Sequence, residues 1–188
     1  KLSNLICYED LIADMPTTFD WPLLDENCDA ALCYTSGTTG HPKGVMYTHR
    51  STILHTIAAV QHNALNITND TVLLPVVPMF HVNAWGTPYA ATMTGAKIVF
   101  PAHGMDGASL YELINSEQAN LLLGVPTIWL GLLNYLDQIG ATLTSVKNVV
   151  VGGAAAPLSM IKAFQEKHDA FLIHAWGMTE LSPLGTVN

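Results

Sequence analysis

Residues Tyr34-Thr35-Ser36-Gly37-Thr38-Thr39-Gly40-His41-Pro42-Lys43-Gly44-Val45 set hydroxyl side chains, three glycines and one lysine between two short apolar runs. Glycine lets the backbone turn where other residues clash and lets its N–H groups approach a ligand closely. The Ser and Thr hydroxyls add donors, and Lys43 adds a compact positive charge. A polyphosphate needs all three. A Walker loop requires Gly-Lys followed by Ser or Thr, whereas here Pro42 precedes Lys43 and Gly44 follows it. The stretch reads as a phosphate-gripping loop of another kind, although a Gly/Ser/Thr-rich turn can also be a plain solvated loop.

The apolar runs on either side extend into a regular pattern. Ala30 to Tyr34 is a short strand delivering the loop, and Val45 to Tyr47 resumes an extended path after it. Thr48 is a helix N-cap, and Ile53, Ile57, Val60 and Ala64 recur at helical spacing, which predicts a helix to Leu65 before a turn at Asn66 to Asp70. Thr71 to Leu74 is a buried strand stopped by Pro75 and Pro78, and an aromatic-rich turn, Pro78 to Gly86, leads into an apolar helix to about Met93. Lys97 to Phe100 is a strand, Asp106 to Gln118 an amphipathic helix, Leu121 to Leu123 a strand, and Pro126 opens a helix carrying Trp129, Leu132, Leu133 and Leu136. Val146 to Val151 is a strand running into the small residues Gly152 to Pro157. Leu158, Ile161 and Phe164 mark a helix, Ala170 to Ile173 a strand, and His174 to Glu180 a final loop.

Strands alternating with helices, with apolar runs on nearly every strand, predict an α/β fold of largely parallel sheets flanked by helices. The chemically loaded segments all follow strands, so they should converge on one edge of the sheet, where open α/β sheets bind ligands. Before the loop, Lys1 to Asp29 is mixed and acidic, with Trp21-Pro22-Leu23-Leu24 as a packing element.

The bulk composition narrows the function. The chain has 188 residues and opens at Lys1, and both ends read as cuts through a longer chain, so residues 1–188 are expected to be a single partial domain. Hydrophobic residues make up 49% and charged residues 12%, which excludes disorder. Seven basic residues against fifteen acidic ones give a formal charge of −8, which excludes a nucleic-acid footprint. An anionic ligand must then be held locally, by backbone N–H groups, a lysine and a metal. Cys7, Cys28 and Cys33 are odd in number and lack metal spacing, favouring reduced thiols in a cytosolic protein. His49, His55 and His62 fall on the first long helix without a carboxylate or cysteine partner, and read as solvated or packing histidines. The most apolar window, Ala119 to Leu136, is broken by Gly124, Pro126 and Asn134 and reads as a strand and a helix, not a transmembrane segment.

Four segments resemble, in order, those of the adenylate-forming superfamily of acyl-CoA synthetases, luciferases and peptide-synthetase adenylation domains. They are Tyr34 to Val45, Pro78 to Gly86, Gly152 to Pro157 and Trp176 to Glu180. The resemblance implies that Thr35, Ser36, Gly37, Thr38, Thr39, Gly40 and Lys43 embrace the phosphates of ATP. Gly153, Ala154 and Ala155 would line the adenine slot, with Trp176 stacking on the base beside Gly177. Thr179 would meet the α-phosphate, and Glu180 with Thr35 would hold Mg²⁺, a hard oxygen site beside a triphosphate. Most of the family has Tyr at the Trp176 position, and Trp keeps the aromatic face.

His81 resembles the family residue beside the acyl carboxylate, and Val82 with Trp85 looks like the fatty-acyl branch, whose Trp gates the acyl tunnel. The implied activity is that of a fatty-acid–CoA ligase: a carboxylic acid attacks ATP, pyrophosphate leaves, and coenzyme A displaces AMP from the acyl-adenylate. Lys43, His81, Thr179 and Glu180 would carry the catalysis. The family's downstream ribose-binding Asp, the Arg after it, and the C-terminal lid domain with its catalytic Lys have no counterpart here, so these residues alone are expected to be inactive. The expected setting is cytoplasmic or membrane-peripheral, and a homodimer is compatible with it. Two alternatives stay open, a ligase for an aryl or short thioether acid and a non-catalytic nucleotide-binding module.

Overall fold

Short, wholly apolar strands become the centre of a twisted sheet because they can be covered on both faces. The computed structural model describes residues 5–35 and 40–188. Its larger sheet runs in the order β4 (Lys97–Ile98), β3 (Val72–Pro75), β5 (Leu121–Gly124), β6 (Asn148–Val151), β7 (Phe171–Gly177) and β8 (Leu184–Val187). The first five strands pair in parallel, and β8 returns antiparallel to β7.

Alternation along the strands divides the core in two. Leu74, Leu122, Val149, Val151 and Leu172 face one side, where α5 (Gly107–Glu117), α6 (Pro126–Ile139) and α7 (Leu158–His168) contribute Leu110, Ile114, Trp129, Leu132, Leu136, Met160 and Phe164. Leu73, Leu121, Leu123, Val150 and Ile173 face the other side, against α2 (His49–Ala59) and α4 (Thr87–Thr94), which supply only the small residues Ala59, Ala90 and Ala91. The helix ends follow local chemistry. Asp106 caps α5 by accepting from the Ala108 and Ser109 N–H groups, Pro126 opens α6, and Gly140 at φ +65° closes it.

A second, two-stranded sheet pairs β1 (Asp29–Thr35) with β2 (Lys43–Thr48) antiparallel. The phosphate-loop candidate is therefore a hairpin connection, not the strand-to-helix turn of the main sheet. Thr48 and Ser51 form a capping box in which each side chain accepts from the other's backbone N–H, so β2 runs straight into α2. At the start of the described chain, α1 (Tyr8–Ile12) buries no residue.

Several expectations require correction. Helix α2 ends at Ala59 instead of Leu65, and it buries Thr52, Thr56 and Ala59 while Ile53 and Ile57 stay exposed. The apolar spacing there marks the outward face. Trp21, Leu23 and Leu24 are exposed instead of packed into the core, and the Trp21 ring lies edge-on to Phe19 at 5.1 Å between ring centroids. The final loop is instead the last part of β7, which extends through Trp176 to Gly177 and is followed by a 3₁₀ turn at Thr179–Leu181 and the unforeseen strand β8. No helix among the described residues is long and apolar enough to cross a membrane.

Candidate functional site

A cavity of about 490 Å³ opens at the C-terminal ends of the parallel strands. Its floor is apolar: Leu123, Val150 and Ala175 come from β5, β6 and β7, with Leu65 and Leu184 beside them. Its polar wall is made by four connections. Thr35 and Lys43 face each other across the β1–β2 hairpin on either side of its connection, His81, Val82 and Trp85 come from the segment after β3, Gly152 and Gly153 from the turn after β6, and Trp176 to Glu180 from the end of β7. The expected convergence on one sheet edge is thus present, with the hairpin folding over that edge from outside the sheet.

Each wall segment has a local reason for its course. After β3, Val82–Trp85 form a single turn, α3, in which Val82, Asn83, Ala84 and Trp85 all have φ between +44° and +58°. That left-handed course is costly for side-chain-bearing residues. It is held by the Thr87 hydroxyl, which donates to the Ala84 carbonyl at 2.8 Å, and by the Gly86 N–H, which donates to the Asn83 carbonyl at 3.0 Å. After β6, a Cβ on Gly152 would come within 2.9 Å of the Trp85 ring, so the indole lies directly on that backbone. Trp176 lies the same way on Gly185, where a Cβ would meet its ring at 2.7 Å, and the remainder of the indole is exposed in the cavity wall.

The turn after β7 is the most tightly tied. The Met178 N–H donates to the Pro183 carbonyl at 3.0 Å, and Gly177 passes so close to that carbonyl that any side chain would collide with it. Thr179 is buried and Glu180 is exposed. The buried Tyr47 hydroxyl donates to the Thr179 carbonyl at 2.6 Å. Burial, reinforced by the Cys33 thiol and the Glu180 carboxylate, pushes the Tyr47 phenol well above its ordinary value, so it remains a donor. On the opposite side, His55 Nε2 accepts from the Leu184 N–H at 3.0 Å.

The sequence-derived candidates divide into three groups. Thr35, Lys43, His81, Val82, Trp85, Gly153, Trp176, Gly177, Thr179 and Glu180 share the cavity wall. Gly40, Ala154 and Ala155 are exposed and lie outside that wall. Ser36, Gly37, Thr38 and Thr39 fall outside the described residues. No group of three or more His, Cys, Asp or Glu side chains capable of holding a metal occurs among the described residues. Thr35 and Glu180 therefore offer at most a partial oxygen set, which fits a cation that completes its shell with phosphate oxygens and water. Sequence reasoning placed Gly152 in the small-residue segment after Val151 but not among the site residues, and it passed over Tyr47 and the acceptor role of His55. Gly152 alone had a signal, as the first of two glycines closing a buried strand.

The arrangement places one ammonium, one carboxylate, hydroxyls and two indoles around an apolar-floored cleft. That set can contact a polyphosphate through the ammonium and hydroxyls, hold a flat base and shelter an apolar chain. Comparison with known proteins agrees with the chemistry. Residues 11–188 match the family model described as AMP-binding enzyme. The chain is 54% identical over its whole length to a medium-chain-fatty-acid–CoA ligase of Ectopseudomonas oleovorans, covering 34% of that protein. It is 50% identical over its whole length to a 3-methylmercaptopropionyl-CoA ligase of Ruegeria lacuscaerulensis, covering 35%. Among solved structures, o-succinylbenzoate coenzyme A synthetase of Bacillus subtilis, in complex with AMP, superposes with a TM-score of 0.74 at 25% identity. That match covers 87% of this chain and 33% of the other. The chain thus spans about a third of the length of the curated relatives it matches.

Proposed function

Because this chain belongs to the AMP-binding enzyme family, we propose that it is the nucleotide-binding part of a fatty-acid–CoA ligase, which activates a carboxylic acid with ATP and passes the acyl group to coenzyme A. The observation that carries the reading is the meeting of Lys43, His81, Trp85, Trp176, Thr179 and Glu180 on one cavity from three separate connections. Residues 1–188 would then be the AMP-binding core, a part of one domain, with the lid domain supplied by further chain. The free thiols of Cys7, Cys28 and Cys33 are consistent with a reducing, cytoplasmic setting.

In this mechanism Lys43 and the hairpin connection, including Ser36 to Gly40, hold the phosphates, while Thr179 orients the α-phosphate. Trp176 and Gly177, with Gly153, Ala154 and Ala155, receive the nucleoside. His81 positions the acid's carboxylate, whose oxygen attacks the α-phosphorus as the bond to pyrophosphate breaks. The apolar floor beside Val82 and Trp85 takes the acyl chain. Mg²⁺, when bound, would be held by Thr35 and Glu180 and would neutralise charge on the phosphates. Catalysis is mainly positioning and preorganised charge. The 50% identity to a 3-methylmercaptopropionyl-CoA ligase supports a second reading, a short thioether acid in the same pocket.

The test is single-turnover pyrophosphate release in the intact protein. Lys43→Ala and Glu180→Gln should each slow it by roughly a hundredfold or more, the scale of a lost preorganised electrostatic contact, with the loss in kcat exceeding any change in KM. Near-normal release from folded variants would overturn both roles. Nucleotide binding by the unaltered protein without release, over a panel of fatty, aryl and thioether acids, would leave a non-catalytic module.

A further inference from the structure

The turn that carries Thr179 and Glu180 is not held by the main sheet alone. Two side chains of the β2–α2 unit reach it from far away in sequence. Tyr47, on β2, donates its hydroxyl to the Thr179 carbonyl at 2.6 Å, across 132 positions. His55, on α2, accepts the Leu184 N–H on Nε2 at 3.0 Å, across 129 positions. One bond fixes the start of the turn and the other its end. Both come from the unit whose first residue is Lys43, and the Thr48–Ser51 capping box joins its strand to its helix. The His55 ring also abuts the segment carrying Trp85, since a Cβ on Gly86 would stand 3.3 Å from its Cε1.

We propose that Tyr47 and His55 are positioning residues, a two-point clamp that sets the Thr179–Leu184 turn in register with Lys43 and so fixes the cavity's carboxylate relative to its ammonium. This deepens the proposed function and rests on it for its catalytic consequence. The chemistry of each contact is specific. Tyr47 is a buried donor to a backbone carbonyl, which also receives the Ser182 N–H at 3.3 Å. His55 must present an unprotonated Nε2, because a protonated one would set donor against donor. Burial lowers the His55 pKa and favours that neutral ring. Neither residue lines the cavity, so neither can act by touching substrate.

Three variants of the intact protein separate the clamp from ordinary packing. In His55→Gln the side-chain oxygen sits as many bonds from the backbone as Nε2 and can still accept from Leu184; His55→Leu fills the space without an acceptor; Tyr47→Phe removes only the hydroxyl. Hydrogen exchange at the Leu184 amide should rise in His55→Leu and stay near the original in His55→Gln. Single-turnover pyrophosphate release should fall roughly tenfold in His55→Leu and in Tyr47→Phe, the scale of one hydrogen bond lost from a preorganised site. The loss should fall on kcat with KM for ATP little changed, and His55→Gln should recover most of it. Equal behaviour of the Gln and Leu variants, in exchange or in rate, would overturn the clamp, whether both are normal or both impaired. If the unaltered protein releases no pyrophosphate, the proposed function fails instead, and Leu184 exchange still decides whether the contact fixes the turn.

Discussion

The parallel sheet and the β1–β2–α2 unit are built on opposite plans. In the sheet, strand residues such as Leu73, Leu74, Leu122 and Val149 are wholly buried, and three amphipathic helices cover one face with large side chains. In the hairpin and its helix, Tyr47 is buried but the large aliphatic residues Leu32, Met46, Ile53, Leu54 and Ile57 are exposed, while the inward positions of α2 are Thr52, Thr56 and Ala59. The sheet is held by area removed from water. The hairpin unit is held by directed contacts, the Tyr47 and His55 bonds to the site turn and the capping box. Non-directional burial tolerates small slips that a directional contact does not. The unit that carries Lys43 is thus attached by the kind of interaction that fixes register, whereas the sheet supplies the stability.

The largest expected effect lies in the sheet region. Phe164 is fully buried between α7 and the core, and Phe164→Ala should cost about 3–5 kcal/mol, the lost transfer energy plus the cavity left behind. Urea unfolding followed by circular dichroism would measure it. A loss under about 1 kcal/mol would mean that this core is looser than its burial indicates, and the contrast between the two regions would collapse.

The same contrast explains how much was legible in the sequence. Apolar strand runs, proline stops and glycine caps report burial and backbone geometry directly, so strands at residues 72–75, 121–124 and 148–151 and helices α4 to α7 follow from pattern alone. Helix α2 misled because Ile53 and Ile57 keep helical spacing but occupy the outward face; periodicity gives a stripe and not the side it faces. Strand β8 went unseen because Gly185, Thr186 and its neighbours lack an apolar run, and its pairing depends on the return of the chain after Pro183. At the site, residues that bear charge or a ring announced themselves. Tyr47 and His55 did not, because their roles arise from backbone atoms more than a hundred positions away.

A smaller effect sharpens the comparison from the hairpin side. Thr48 accepts the Ser51 N–H at 3.0 Å, and Ser51 Oγ accepts the Thr48 N–H at 3.1 Å. Thr48→Ala removes the first of these bonds and keeps the second, whose donor is the backbone, and should lower stability by about 1 kcal/mol, read from the same urea transitions. A cost approaching that of Phe164→Ala would show the junction of β2 and α2 to be part of the core instead of a local splice.

The smallest expected effect is the most direct test of the inverted helix. Ile53 and Ile57 are 48% and 46% exposed, and neither belongs to either buried cluster. Replacing either by Ser removes little area that folding takes from water, so the change should stay within about 0.5 kcal/mol. Serine and isoleucine are similar helix formers, so the small apolar area lost sets the expected sign as slightly destabilising. The measurement is the urea midpoint of Ile53→Ser and Ile57→Ser, each compared with the unaltered chain and then repeated in the intact protein. Near-zero shifts in both settings confirm that this face of α2 is an outward one. A loss above about 2 kcal/mol in the 188-residue chain would place the face inside this fold and overturn the inversion. The same loss confined to the intact protein would show that another segment covers it, making the outward isoleucines part of a core completed elsewhere and turning the difference between the two regions into one of partners, not of plan.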